Sequence, residues 1–288
     1  MSQLILIEQH CFYLCHLLQN LPNPYLSKVI ETKDRDRVQL SDVTEWLYLA
    51  ASVRRVEIDT SYFDGSVIMC RPAWEYQVAR SELLSEVTTH LSRFNFVWGA
   101  FESLAKLIEP PNIPKNIKKD ASGLVDRVVY FLKINYEPKM LPPCFLDVLS
   151  EFTNCLLTAK LFDVSADEFS VSSYMGSSGI GIKLVSKIRN KFAHGSGKFP
   201  EPEGWGSHSS CDSRLILAAT RIVLLSMQIA LIAYFRNVDF YVDCLKYEFM
   251  DENLFFEEES IHRILQCLHL SAISQVPGQL SLLDLEYE

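Results

Sequence analysis

The chain has 288 residues, of which 48% are apolar and 22% charged; this balance excludes a disordered polymer and allows a large buried core. The formal charge of -9 excludes a global positive field, so any nucleic-acid contact must come from a local patch. Eight cysteines are scattered through apolar segments, and the opening MSQLILIEQH lacks a basic leader region, which together predict free thiols in a reducing, cytoplasmic setting.

Residues 3–19 read as a helix, broken by Asn20, Asn23 and Pro24. His10, Cys11, Cys15 and His16 lie on it. Zinc uses such ligands, but no Cys-x-x-Cys pair completes a set, and the step of four places them on one helix face, so core packing is expected. Residues 54–59 and 66–70 read as two short strands, with Phe63, Asp64 and Gly65 offering hairpin-turn chemistry. Residues 1–77 are therefore expected to form a mixed accessory region with a small β-hairpin.

The longest helical signal runs over residues 78–109. Leu84, Val87, Leu91, Phe94, Trp98, Phe101, Ala105 and Ile108 alternate steps of three and four, an apolar seam that Pro110 and Pro111 stop. Phe96 lies off the seam and needs another surface to cover it. Thr88, Asn95 and Glu102, seven apart, form a polar stripe beside it that is either a cleft lining or a solvated edge.

Further helices are expected at 122–135, 145–161, 182–194, 213–235 and 257–270. Residues 176–181 look like half of a phosphate loop, but Lys183 comes one position late for a Walker motif, and a flexible loop leading into the next helix is expected. The run 215–235 is apolar enough to raise a membrane span, yet Arg221 and Gln228 sit in its middle, which favours a buried bundle helix. No repeat of 20 to 50 residues is evident. The expected fold is mainly α: an antiparallel helical bundle over 78–240, followed by a helical extension and tail over 241–288.

The segment richest in chemistry is 183–195, KLVSKIRNKFAHG. Residues 171–200 contain Lys183, Lys187, Arg189, Lys191 and Lys198 and no Asp or Glu, a local charge of +5 suited to a phosphate backbone. On an ideal helix Arg189 and His194 stand about 140° apart. Gly195 supplies a helix stop, however, so His194 falls in the last turn, where its ring can swing beside a phosphate held by the forked Arg189. Histidine serves as general acid or base near neutral pH, and arginine stabilises negative charge on a phosphorane-like transition state. An adjacent 2′-hydroxyl then suffices as nucleophile, and no metal or other cofactor is called for. A lone Arg and His at a helix end also serve simply as dipole partners or surface groups.

Residues 189–194, RNKFAH, resemble the R-N-x-x-x-H motif of the HEPN superfamily. The string 93–104, RFNFVWGAFESL, is similar to the first core helix of many such proteins, where an aromatic, Trp, Ala and Glu recur in that order. The resemblance covers roughly residues 78–240. It implies a metal-independent endoribonuclease, usually a homodimer whose paired motifs form one cleft, acting in stress response, as a toxin or in antiviral defence. Arg189 and His194 match the family's catalytic pair, Asn190 its polar neighbour, and Glu102 an acidic residue of the first helix that faces the motif. Lys183, Lys187, Lys191 and Lys198 would add RNA contacts. Gly195 and Ser196 stand where one branch carries a tyrosine two places after the histidine, so control by AMP transfer to that tyrosine is not expected. A regulatory protein partner and no membrane are expected; a non-catalytic RNA- or protein-binding module and a helical scaffold are the alternative readings.

Overall fold

The computed structural model describes residues 4–31, 37–62, 64–65, 70–118, 123–135, 141–159, 172–195, 198–202, 211–247 and 254–271. Helices dominate, accompanied by two small two-stranded sheets. The longest helix, α4 (Arg71–Ile108), buries the expected seam from Val87 to Ile108, with Leu84 half-buried. It starts at Arg71, with Pro72 in its first turn, and so crosses the boundary expected at residue 77. It stops where Glu109 takes a left-handed φ of 53° ahead of the two prolines, and Lys28 pairs with that carboxylate at 3.3 Å.

Helix α8 (Cys211–Tyr234) occupies the centre, against α4, α5 (Leu124–Asn135), α6 (Phe145–Thr158) and α7 (Ser177–Ala193). It is the one described helix long and apolar enough to cross a membrane, but 94% of its apolar window is buried inside the protein. Arg221 and Gln228, the residues that argued for a bundle helix, face partners there. Arg221 donates to His10 Nδ1 at 2.9 Å and to the Ile5 carbonyl, and Gln228 joins His10 Nε2 at 2.7 Å and the Leu265 carbonyl.

α7 begins at Ser177, so residues 177–181, expected as a loop, form its first turns instead. The reason lies in the neighbours. A Cβ on Gly179 would stand 2.7 Å from Val129 Cγ1, and one on Gly181 2.9 Å from Ile222 Cγ2. The glycines are contact points that let α7 close on α5 and α8, not hinges of a phosphate cradle.

The N-terminal helix α1 (Ile7–Gln19) packs on α3 (Leu40–Ser52), and α3 packs on α4. Cys11 and Cys15 enter the core, where burial pushes their thiols up to about 12 and about 11. A short helix α2 (Asn23–Leu26) leads into β1 (Val29–Glu31), which pairs antiparallel with β2 (Arg37–Gln39). The N-terminal hairpin thus exists, but not where the sequence placed it. Residues 54–59 form no strand, and the expected partner, 66–69, lies outside the described residues.

What holds 54–60 instead is a ladder of hydroxyls on α4. The Val56, Ile58 and Thr60 amides donate to Thr89 Oγ1, Ser85 Oγ and Ser81 Oγ at 2.9, 2.9 and 3.0 Å. Two residues of extended chain advance about 6.6 Å and four of helix about 6.0 Å, so alternate amides meet every fourth helical side chain in register.

Further on, β3 (Tyr241–Tyr247) pairs antiparallel with β4 (Leu254–Ser260), and Ile261–Cys267 forms the last described helix, α9. The helix expected from residue 257 therefore starts four residues late, because Glu257, Glu258 and Glu259 are paired in β4. A bridge between Leu4 and Leu270, with the Ile5 amide donating to the His269 carbonyl at 3.1 Å, joins the first and last described segments.

Candidate functional site

The motif occupies the C-terminal turns of α7. Ile188 is buried and fixes the helix, which leaves Arg189 half-buried and Asn190 exposed. The helix closes as the sequence predicts. His194 is the capping residue, its amide bonded to the Asn190 carbonyl at 3.0 Å, and Gly195 turns the chain with a φ of 69° while its amide reaches the Phe192 carbonyl. The His194 side chain is exposed.

Arg189 reaches across to α4. Its guanidinium lies over the Trp98 ring at 5.9 Å from the centroid, and Nη2 stands 3.9 Å from Glu102 Oε1. Glu102 is itself held by Trp98, whose indole Nε1 donates to the same Oε1 at 2.7 Å. At 3.9 Å the Arg–Glu contact is an ion pair without a direct hydrogen bond, and both side chains are more than a third exposed, so water screens it. The pair orients the guanidinium more than it stabilises the fold. A last contact, Nη1 to Asn190 Oδ1 at 3.5 Å, is at the limit of hydrogen bonding. The structure thus brings Arg189, Asn190 and Glu102 together and adds Trp98, which the sequence offered as seam and as part of the resembling string but not as a site residue. The overlooked signal is the step of four from Trp98 to Glu102, which stacks the two side chains on one face.

The expected basic patch is smaller than the local charge of +5. Lys183 turns inward to Asp126, which Lys118 and Tyr174 also engage, the tyrosine at 2.9 Å. Burial would raise the Asp126 carboxyl, but its bonds to Lys118, Lys183 and Tyr174 outweigh burial and hold it below the usual carboxylate range. Burial and that carboxylate in turn push the Tyr174 hydroxyl up to about 12. Lys183 is therefore part of a lock between α5 and α7, not an open phosphate contact. Lys187 and Lys191 are half-buried on α7, and Lys198 is exposed beyond its cap. Glu201 then meets Tyr76 and Arg80, returning the chain to α4 about six turns nearer its N-terminus than Glu102.

Set beside family models, curated proteins and solved structures, the chain matches none of them.

Proposed function

We propose that the chain is a HEPN-type endoribonuclease whose site is Arg189 and Asn190 on α7, His194 at its cap, and Glu102 and Trp98 on α4. The observation that supports this reading is the meeting of Arg189 with Trp98 and Glu102. These belong to the two separate strings that carry the resemblance, and nothing in either string alone requires that they touch.

In the proposed reaction the RNA 2′-oxygen attacks the adjacent phosphorus as its proton passes to an imidazole. The bond to the 5′-oxygen breaks, and that oxygen takes a proton from an imidazolium. Arg189 neutralises charge growing on the phosphoryl oxygens, with Glu102 and the Trp98 face holding its plane. One His194 cannot be base and acid in the same step, so a homodimer with two motifs facing one cleft supplies both. Phe96 gives no separate support to that dimer, because Trp46 of α3 covers it at 5.9 Å between centroids.

The test is cleavage of single-stranded RNA by the purified chain with EDTA present. The expected products end in 2′,3′-cyclic phosphate and 5′-hydroxyl, and Arg189→Ala and His194→Ala each abolish cutting while melting like the parent. A toxin or defence role predicts growth arrest on expression, relieved by His194→Ala. Cleavage lost in EDTA and restored by magnesium would replace this reading with a metal nuclease. RNA binding without cleavage would leave the non-catalytic module.

A further inference from the structure

Trp46 projects from α3 onto α4 at Gly99. A Cβ built on that glycine would stand 2.9, 3.1 and 3.2 Å from Trp46 Cδ2, Cε2 and Cε3. Cδ2 and Cε2 are the fused atoms of the indole and carry no hydrogen, so a neighbour reaches them only from above the ring plane. One face of the indole therefore rests flat on the bare glycine. Phe96 tilts against the same ring. Trp46 nonetheless stays exposed, with 38% of the residue's surface open to solvent.

The position of that ring matters. At 100° per residue, and measured around α4 from Gly99, Lys106, Asn95, Glu102 and Trp98 stand about 20°, 40°, 60° and 100° to one side. Arg189 lies over the far edge of this strip, at Trp98 and Glu102, and Trp46 stands at the near edge. Between them run Asn95 and Lys106, both exposed, and half-buried Glu102. A strip with a cation-bearing wall, an aromatic wall and polar groups on its floor fits an unpaired nucleotide, with its phosphate toward Arg189 and its base toward Trp46.

We infer that Trp46 is a base-stacking platform for single-stranded RNA beside the Arg189–Glu102 contact. The inference rests on the ribonuclease reading of that contact. Stacking on an indole face tolerates any base, so the platform gives affinity for unpaired RNA without sequence preference. Gly99 is the seat that keeps the ring flat: an alanine there would lift the indole off α4 or tilt it.

The test is binding of a fluorescein-labelled single-stranded 2′-O-methyl oligonucleotide about ten nucleotides long, which this chemistry cannot cut, followed by anisotropy on the full chain. Trp46→Leu keeps an apolar group on Gly99 but removes the π face, and is expected to weaken binding about tenfold. Trp46→Phe should hold most of the affinity, Gly99→Ala should lose it, and Tyr48→Ala, another exposed aromatic of α3, should leave it unchanged. Melting of each variant controls for folding, and the Phe–Leu comparison needs only that those two fold. Equal binding by Trp46→Leu and Trp46→Phe, with RNA cleavage intact, overturns the platform and leaves the ribonuclease standing. A parent chain that neither binds the oligonucleotide nor cuts RNA overturns both.

Discussion

Arg189 spans two neighbours at once, the Trp98 ring at 5.9 Å and Glu102 at 3.9 Å, and the compact point charge of an ammonium replaces neither the planar group nor its forked donors. Arg189→Lys is therefore expected to lower RNA cleavage about a hundredfold, the scale of losing one oriented donor at a developing oxyanion. Glu102→Gln keeps an oxygen for the Trp98 indole but removes the charge that draws the guanidinium. It should cut less well than the parent and better than Arg189→Lys, and parental rates from both variants would remove the orienting role. The glycines of α7 make a different residue-scale prediction. The Cβ of Gly179→Ala would press on Val129 Cγ1 at 2.7 Å with the Val129 Cα only 3.3 Å away, so backbone as well as side chain must move. A destabilisation of about 1–3 kcal/mol is expected in urea unfolding. Gly123→Ala, where no atom lies within 4 Å, serves as the reference.

Among the elements, the hydroxyl ladder shows what pattern reading captured and what it missed. The strand read at 54–59 does not form, yet alternate amides of the segment bond a neighbour as an edge strand's would. Its partner, however, is not another strand but Ser81, Ser85 and Thr89, whose spacing of four was hidden inside an amphipathic helix where small polar residues are unremarkable. Ser85→Ala leaves the Ile58 amide without its acceptor in a partly buried position. It should cost about 1 kcal/mol and raise hydrogen exchange at Ile58 before the rest of the segment. An Ile58 amide that exchanges no faster in the variant would show that the ladder holds nothing. The bundle helices themselves were legible because their seams and stop signals coincide, as at Pro110 and at Gly195. Arg189 and Asn190 are adjacent in sequence, so their nearness needs no tertiary contact. Trp46, Asp126 and Tyr174 were not legible, because each acts through a tertiary contact more than 40 residues away in sequence that no local period encodes.

Across the whole molecule, one polar chain ties α1 and α9 to the central helix, and its direction dictates a pH response. Arg221 only donates, so His10 Nδ1 must accept and its Nε2 carries the proton to Gln228 Oε1. Gln228 Nε2 donates to the Leu265 carbonyl and lies 3.4 Å from His269 Nδ1, and His269 Nε2 donates to the Pro143 carbonyl at 2.8 Å. Both rings are thus neutral, and a further proton on either would face a donor. Around them stand buried Arg221 and, beyond it, the Glu8–Arg93 pair at 2.6 Å. Burial first, with the Arg221 charge adding to it, pulls His10 well below its ordinary value; burial pulls His269 down to about 4. In the unfolded chain each histidine takes its proton near pH 6.5, so folding stability is complete above that value and falls as pH drops toward about 4. For His269 alone the loss across that window is roughly 3 kcal/mol. Asp126, held below the usual carboxylate range, loses its contribution only at lower pH, so the two effects separate. Urea midpoints should fall steadily from pH 7 to pH 4.5, with a shallower fall in His269→Gln, whose side chain does not titrate. Because Ile5, His10, Leu265 and His269 share the chain, amides of α1 and α9 should lose exchange protection together on acidification, while those of α5 and α7 keep theirs. A midpoint that stays level over this range, or α1 opening without α9, would mean the histidines do not clamp α1 and α9 as one unit.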